Sequence, residues 1–102
     1  MSVSELKAQG NASFAAKDYD NAIKHYTDAI AAAESQGEQD GVHVLYSNRS
    51  ASFAGLKNWS AALEDAETTI RLNPSFAKGY GRKGSALHLS LIHISERAGK
   101  AD

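Results

Sequence analysis

KDYDNAIKHYTDAI, residues 17–30, lies over KNWSAALEDAETTI, residues 57–70, when the chain is shifted by 40 positions. The overlay pairs Lys17 with Lys57, Tyr19 with Trp59, Ala22 with Ala62, Ile23 with Leu63 and Ile30 with Ile70. A second offset, of 34, links Tyr46 to Tyr80, Ser50 to Gly84 and Phe53 to Leu87. The two offsets differ by six residues, and the polar, Gly-containing stretch SQGEQDG, residues 35–41, is where six extra residues fit. Repetition at such a period marks supersecondary units that stack to share a core.

Local signals place helices around this repeat. Ser2 with Glu5 has the form of a capping box and opens a helix through about Ala16. Asp18 caps a second helix over Tyr19 to Ala33, and a third runs from Val42 to about Leu56. Asn58 caps a fourth, from Trp59 to about Leu72. It ends at Asn73, because Pro74 pushes the preceding residue out of the helical region. Ser75 is placed to cap a fifth helix starting near Phe76. The expected fold class is all-α, a helical-hairpin array of about five helices.

Composition narrows the class. The chain has 102 residues, 42% hydrophobic and 23% charged, which suits one small domain. A net charge of −1 supplies no global field toward nucleic acid or an anionic membrane, so any anion site is local. Absence of cysteine excludes disulfides and thiolate zinc sites and fits a reducing compartment. No apolar run approaches the ~20 residues of a membrane span. MSVSELKAQ lacks the apolar core of a signal peptide, and the expectation is a cytoplasmic protein.

Helix pairs with a period of 34 resemble the tetratricopeptide repeat (TPR). That pattern asks for a small residue in the first helix, an aromatic three further on, an alanine in the second helix and a closing proline. Gly10, Ser50 and Gly84 fill the first small position, and Ala22 and Ala62 the second. Phe53 and Pro74 fit the aromatic and proline places, whereas Ser13 departs from the aromatic one. Small residues let two helices approach; Ile23, Tyr26, Ile30, Trp59 and Leu63 are expected to fill the core between them.

In such arrays the first helix of each pair lines a concave groove. With Gly10, Ser50 and Gly84 set at the eighth position of each repeat, Lys7 is fifth and Asn11 ninth in repeat one. Asn48 is sixth in repeat two; Lys78 is second and Arg82 sixth in repeat three. Positions two, five, six and nine are spaced i, i+3, i+4, i+7, which is one helical face. Asn48 and Arg82, 34 residues apart, stack at one level. Asn48 and Gly81 both lower helix propensity where they stand. Three cations and two amides converging on one groove suit one or two carboxylates, as in the capture of a peptide C-terminus.

ELKAQGN, VLYSNRSASF and KGYGRKGSA resemble the N-terminal TPR domain of the Hsp-organising, stress-inducible Sti-type co-chaperones. The resemblance covers residues 4 to about 88 and includes all five positions of that family's two-carboxylate clamp: Lys7, Asn11, Asn48, Lys78 and Arg82. It implies binding of the Glu-Glu-Val-Asp tail of cytosolic heat-shock chaperones, with the seventy-kilodalton class favoured over the ninety. From a different class, the chain is read as a scaffold that binds a helix or peptide by apolar contacts, without dependence on a carboxylate.

Other motifs are sparse. His25, His43, His88 and His93 lack i, i+4 pairing or a nearby cysteine, so no metal is expected and no cofactor is implied. Glu64, Asp65 and Glu67 are read as a solvated acidic face. No serine sits in a nucleophile elbow and no Gly-rich loop follows a strand, so the reading is a binding module, not an enzyme.

After Leu87 the pattern fails. The alanine expected at the twentieth position of repeat three falls on Glu96, and LSLIHISE, residues 89–96, matches what a sequencing-library adapter encodes in this frame. Residues 1–88 are therefore assigned to the repeat domain, two full repeats and the first helix of a third, and residues 89–102 to a foreign or read-through tail. Two arrangements are open: Leu91, Ile92 and Ile94 fold back over Tyr80 and Leu87, or the tail extends the fifth helix with Leu87, Leu91 and Ile94 in one stripe. An uncovered fifth helix is also available for self-association.

Overall fold

Side-chain caps set where each helix begins. Ser2 Oγ accepts from the Glu5 N–H at 3.1 Å, and the Glu5 carboxylate accepts from the Ser2 N–H at 3.2 Å, a complete capping box at the head of α1 (Val3–Ala15). That backbone bond from Ser2 holds the Glu5 carboxyl below its ordinary pKa. Asp18 caps α2 (Tyr19–Ser35) through the Asn21 N–H, and Asn58 caps α4 (Trp59–Leu72) through the Ala61 N–H. Between them α3 (Val42–Gly55) starts from Gly41, whose left-handed φ of 77° suits glycine. A turn at Asn73 leads into α5 (Ala77–Ala101). The computed structural model describes the backbone of residues 1–101 and the side chains of residues 1–92.

Four of the five helix starts fall where the sequence places them. The fifth differs: helix begins at Ala77, and Asn73 Oδ1 accepts from the Ser75 N–H at 3.1 Å, so Asn73 rather than Ser75 shapes this entrance. Ser35, read as loop, is the last residue of α2.

Each helix packs on its neighbours in sequence, and α3 also touches α1 and α5. The interfaces rest on small residues. Ala22, Ala29, Ala33, Ala62 and Ala66 are fully buried, and a Cβ on Gly10 would lie 2.5 Å from the Tyr26 ring. Ser50, at the equivalent place in repeat two, donates its hydroxyl to the Ala62 carbonyl at 2.7 Å. The central cluster is Leu6, Ala22, Tyr26, Ala29, Ile30 and Leu45. Of the expected core residues Tyr26 and Ile30 are buried, while Ile23, Trp59 and Leu63 are half-buried at its rim.

The acidic face expected on α4 is corrected at Asp65. Its side chain is 6% exposed and accepts two bonds from Arg49, at 2.7 Å from Nε and 2.8 Å from Nη2. Asp65 belongs to the buried stripe Ala62, Asp65, Ala66, Thr69, spaced i, i+3, i+4, i+7. Glu64 and Glu67 remain exposed.

Helix α5 runs unbroken past Leu89 and therefore takes the second of the two tail arrangements. Leu91 and Ile92 do not fold back: Tyr80 is 52%, Leu87 44% and Leu91 64% exposed. Gly84, the small residue of repeat three, has nothing within 4 Å of a Cβ added there. The Ile94, Glu96 and His93 side chains lie outside the described residues.

Candidate functional site

Helices α1, α3 and α5 turn one face each toward a pocket of about 210 Å³. Its lining is Asn11 and Phe14 from α1, Tyr26 from α2, Asn48 and Ala51 from α3, and Arg82 from α5. Three of the five candidate residues thus meet: Asn11, Asn48 and Arg82. Lys7 and Lys78 stand one helical turn before Asn11 and Arg82 and do not line the pocket itself. The volume lies below the roughly 300–1,000 Å³ of small-molecule sites, which suits one side chain or a chain end.

Each donor is tied to a neighbour through one contact and keeps further N–H groups for a ligand. Asn48 Nδ2 donates to Asn11 Oδ1 at 3.4 Å, tying repeat one to repeat two. Arg82 Nε donates to the buried Ser47 hydroxyl at 3.4 Å, tying repeat three to repeat two and leaving the terminal guanidinium nitrogens free among the described residues. Within that same range Lys7, Lys78 and Arg82 have no ion-pair partner, whereas Lys24, Arg49 and Lys83 each hold a carboxylate. No acidic residue lines the pocket. The electrostatics therefore favour an anion, and Phe14 and Ala51 favour an apolar group beside it.

Sequence reasoning missed one contributor to the site and one brace outside it. Tyr26 is buried as expected, and its hydroxyl also reaches the site, donating to Asn11 Oδ1 at 2.6 Å. Burial raises its pKa, offset only in part by the nearby Arg82 charge, so the phenol keeps its proton at neutral pH. Arg49 is the brace and does not line the pocket. It bridges α2, α3 and α4: it donates to Thr27 Oγ1 at 3.1 Å, pairs with Asp65, and lies 5.3 Å from the Tyr46 ring centre and 5.8 Å from that of Phe53. The hydrogen bonds to Asp65 raise its pKa despite burial. The signal for Arg49 was present in the aromatic residues at i−3 and i+4 on its own helix.

His43 bonds Asn73 at 3.2 Å and stacks edge-on against Phe76. Among the described residues no three His, Cys, Asp or Glu side chains gather to hold an ion, and no helix is long and apolar enough to cross a membrane.

No protein-family profile matches the chain. It is 49% identical over 96 residues to the heat shock protein STI1 of Saccharomyces cerevisiae, an alignment covering 94% of this chain and 15% of the yeast protein. Solved TPR domains share the fold. The TPR2B domain of yeast Sti1, solved in complex with pHsp70, superposes with a TM-score of 0.75 at 32% identity, covering 95% of this chain and 70% of that one. The first TPR of Spaghetti (RPAP3), bound to the HSP90 peptide SRMEEVD, gives 0.76 at 32% identity over 92% and 71%.

Proposed function

Because the chain belongs to the tetratricopeptide repeat domains of the Sti1 type, we propose that it binds the acidic C-terminal tail of a cytosolic heat-shock chaperone by its terminal carboxylates. The observation that carries this reading is the pocket, where free donors from three successive repeats face one space with no acidic residue among them. Asn11, Asn48 and Arg82 hold the carboxylate at the centre of the site; Lys7 and Lys78, a turn away, supply positive charge at its edge. Hydrogen bonds to charged groups contribute about 1.5–3 kcal/mol each, so a few hold a short peptide with little apolar burial. The partner proposed is the Glu-Glu-Val-Asp tail, of the seventy-kilodalton class in preference to the ninety. The domain acts as a cytoplasmic adaptor and not as an enzyme, through residues 1–88, with 89–102 as a foreign extension.

The test is a calorimetric titration with a peptide ending Ile-Glu-Glu-Val-Asp, its C-terminus either free or amidated. Binding of the free acid alone, weakened by added salt, is the expected result. Equal affinity for both forms would sink the clamp and favour an apolar scaffold.

A further inference from the structure

The carbonyl oxygen of Asn11 is held by two donors. Tyr26 Oη lies 2.6 Å from it and Asn48 Nδ2 lies 3.4 Å away. An amide nitrogen has no lone pair to accept with, so the atom that receives both bonds is the oxygen. The Asn11 side-chain NH₂ is thereby left as its free end, on a residue that lines the pocket. An unrestrained asparagine amide has no such bias. Its two ends are nearly equal in shape, and rotation by half a turn would set an oxygen lone pair against an incoming carboxylate.

Tyr26 is built to remove that freedom. Its side chain is 1% exposed, and its ring lies against the space that a Cβ on Gly10 would occupy, at 2.5 Å. The ring is thus locked between α1 and α2, and its hydroxyl meets the exposed Asn11 at the pocket wall. A buried phenol O–H requires an acceptor, and the one it has is Asn11 Oδ1. The shorter of the two bonds comes from the more rigid donor, while Asn48 keeps its second N–H for the ligand.

We propose that Tyr26 is a positioning residue for carboxylate recognition: its hydroxyl fixes the amide orientation of Asn11 so that the NH₂ end, not the oxygen, faces the bound anion. The inference rests on the carboxylate-binding reading given above. It makes a residue of the second helix, outside the first-helix positions that define the groove, a determinant of what the groove accepts.

A double-mutant cycle with Tyr26→Phe and Asn11→Ala tests it, read by calorimetry on the full chain with the free and amidated peptides. Tyr26→Phe keeps the ring and its packing. It is expected to weaken the free acid about three- to tenfold, the worth of one neutral hydrogen bond, and to narrow the free-over-amidated ratio. In the Asn11→Ala background the same change should cost less than about twofold, because there is no amide left to orient. Equal losses in both backgrounds, or no loss in Tyr26→Phe alone, would overturn the proposal. A wild-type chain that fails to distinguish the two peptides would instead overturn the carboxylate reading, and this inference with it. Should Tyr26→Phe not fold, the Asn11 side-chain NH₂ signals of the unaltered chain decide: they should move on adding the free-acid peptide and stay in place on adding the amidated one, and no difference between the two would refute the assigned orientation.

Discussion

Arg49 and Asp65 form a bidentate pair whose side chains are only 19% and 6% exposed, and Arg49 adds Thr27 as a third partner. Such a pair is weak evidence of net stabilisation, because both ions had to leave water. Breaking it is another matter, since a lone guanidinium would remain between α2, α3 and α4. Asp65→Ala should therefore cost roughly 3 kcal/mol of unfolding free energy. The paired replacement Arg49→Met with Asp65→Leu should recover most of that loss. Urea unfolding of the three variants checks both statements; a single-variant loss below about 1 kcal/mol would show the pair to be dispensable. Asp65 is also where residue-by-residue reading went astray. Flanked in sequence by acidic neighbours it looks solvated, but the stripe Ala62, Ala66, Thr69 already placed it on the buried face. Helical register, not local charge density, decides its burial. For Tyr26 the burial of the ring is legible and is found, whereas the direction of its hydroxyl depends on the packing of α1 against α2.

The hairpin turns explain why the elements themselves were so readable. In both repeats a lysine sits in left-handed conformation just past the first helix, Lys17 at φ 61° and Lys57 at φ 62°. Lys17 N–H donates to Phe14 O and Asp18 N–H to Ser13 O; Lys57 N–H donates to Ala54 O and Asn58 N–H to Phe53 O. Each turn is a Schellman closure whose last residue, Asp18 or Asn58, at once caps the next helix. One tripeptide ends a helix and starts another, so KDY and KNW fix the boundaries to within a residue. The third turn of this form uses Gly37, at φ 65°, where the left-handed geometry carries no Cβ penalty. The two lysines do carry it. Lys17→Gly and Lys57→Gly should each raise stability by about 0.5 kcal/mol, the relieved backbone strain less the greater freedom of glycine in the unfolded chain. Thermal melts would show the gain, and a fall in melting temperature in both variants would contradict it. Where no such closed turn exists, at Asn73 and Pro74, the boundary of α5 was read less well.

At the scale of the whole molecule the helices form a series in which each contacts its neighbours, with α3 joining α1 and α5. Stability in such a series is local, a sum of intrinsic and neighbouring terms. Helix α5 packs on α4 and touches α3; its outer stripe of Tyr80, Leu87 and Leu91 is exposed, and Gly84 faces open space. The sequence shows that repeat three departs from the pattern after Leu87 and leaves two tail arrangements open; it does not decide for the straight α5, because helix propensity does not reveal whether a partner will cover a helix. Arg82 hangs on this least supported element, while Asn11 and Asn48 stand on α1 and α3, which α2 and α4 cover. A ligand that engages all three residues adds a bridge where the series is thinnest. It binds only the folded array, so at a concentration of 100 Kd it should stabilise the domain by about 2.7 kcal/mol. That stabilisation should be unevenly spread. Amide hydrogen exchange in residues 77–92 should be faster than in α2 without peptide, and should slow by a larger factor than in α2 when the free-acid peptide is added. The amidated peptide should leave both rates unchanged. If the free acid slowed α1 and α3 but not residues 77–92, Arg82 would have no part in holding the tail, and the clamp would reduce to two repeats.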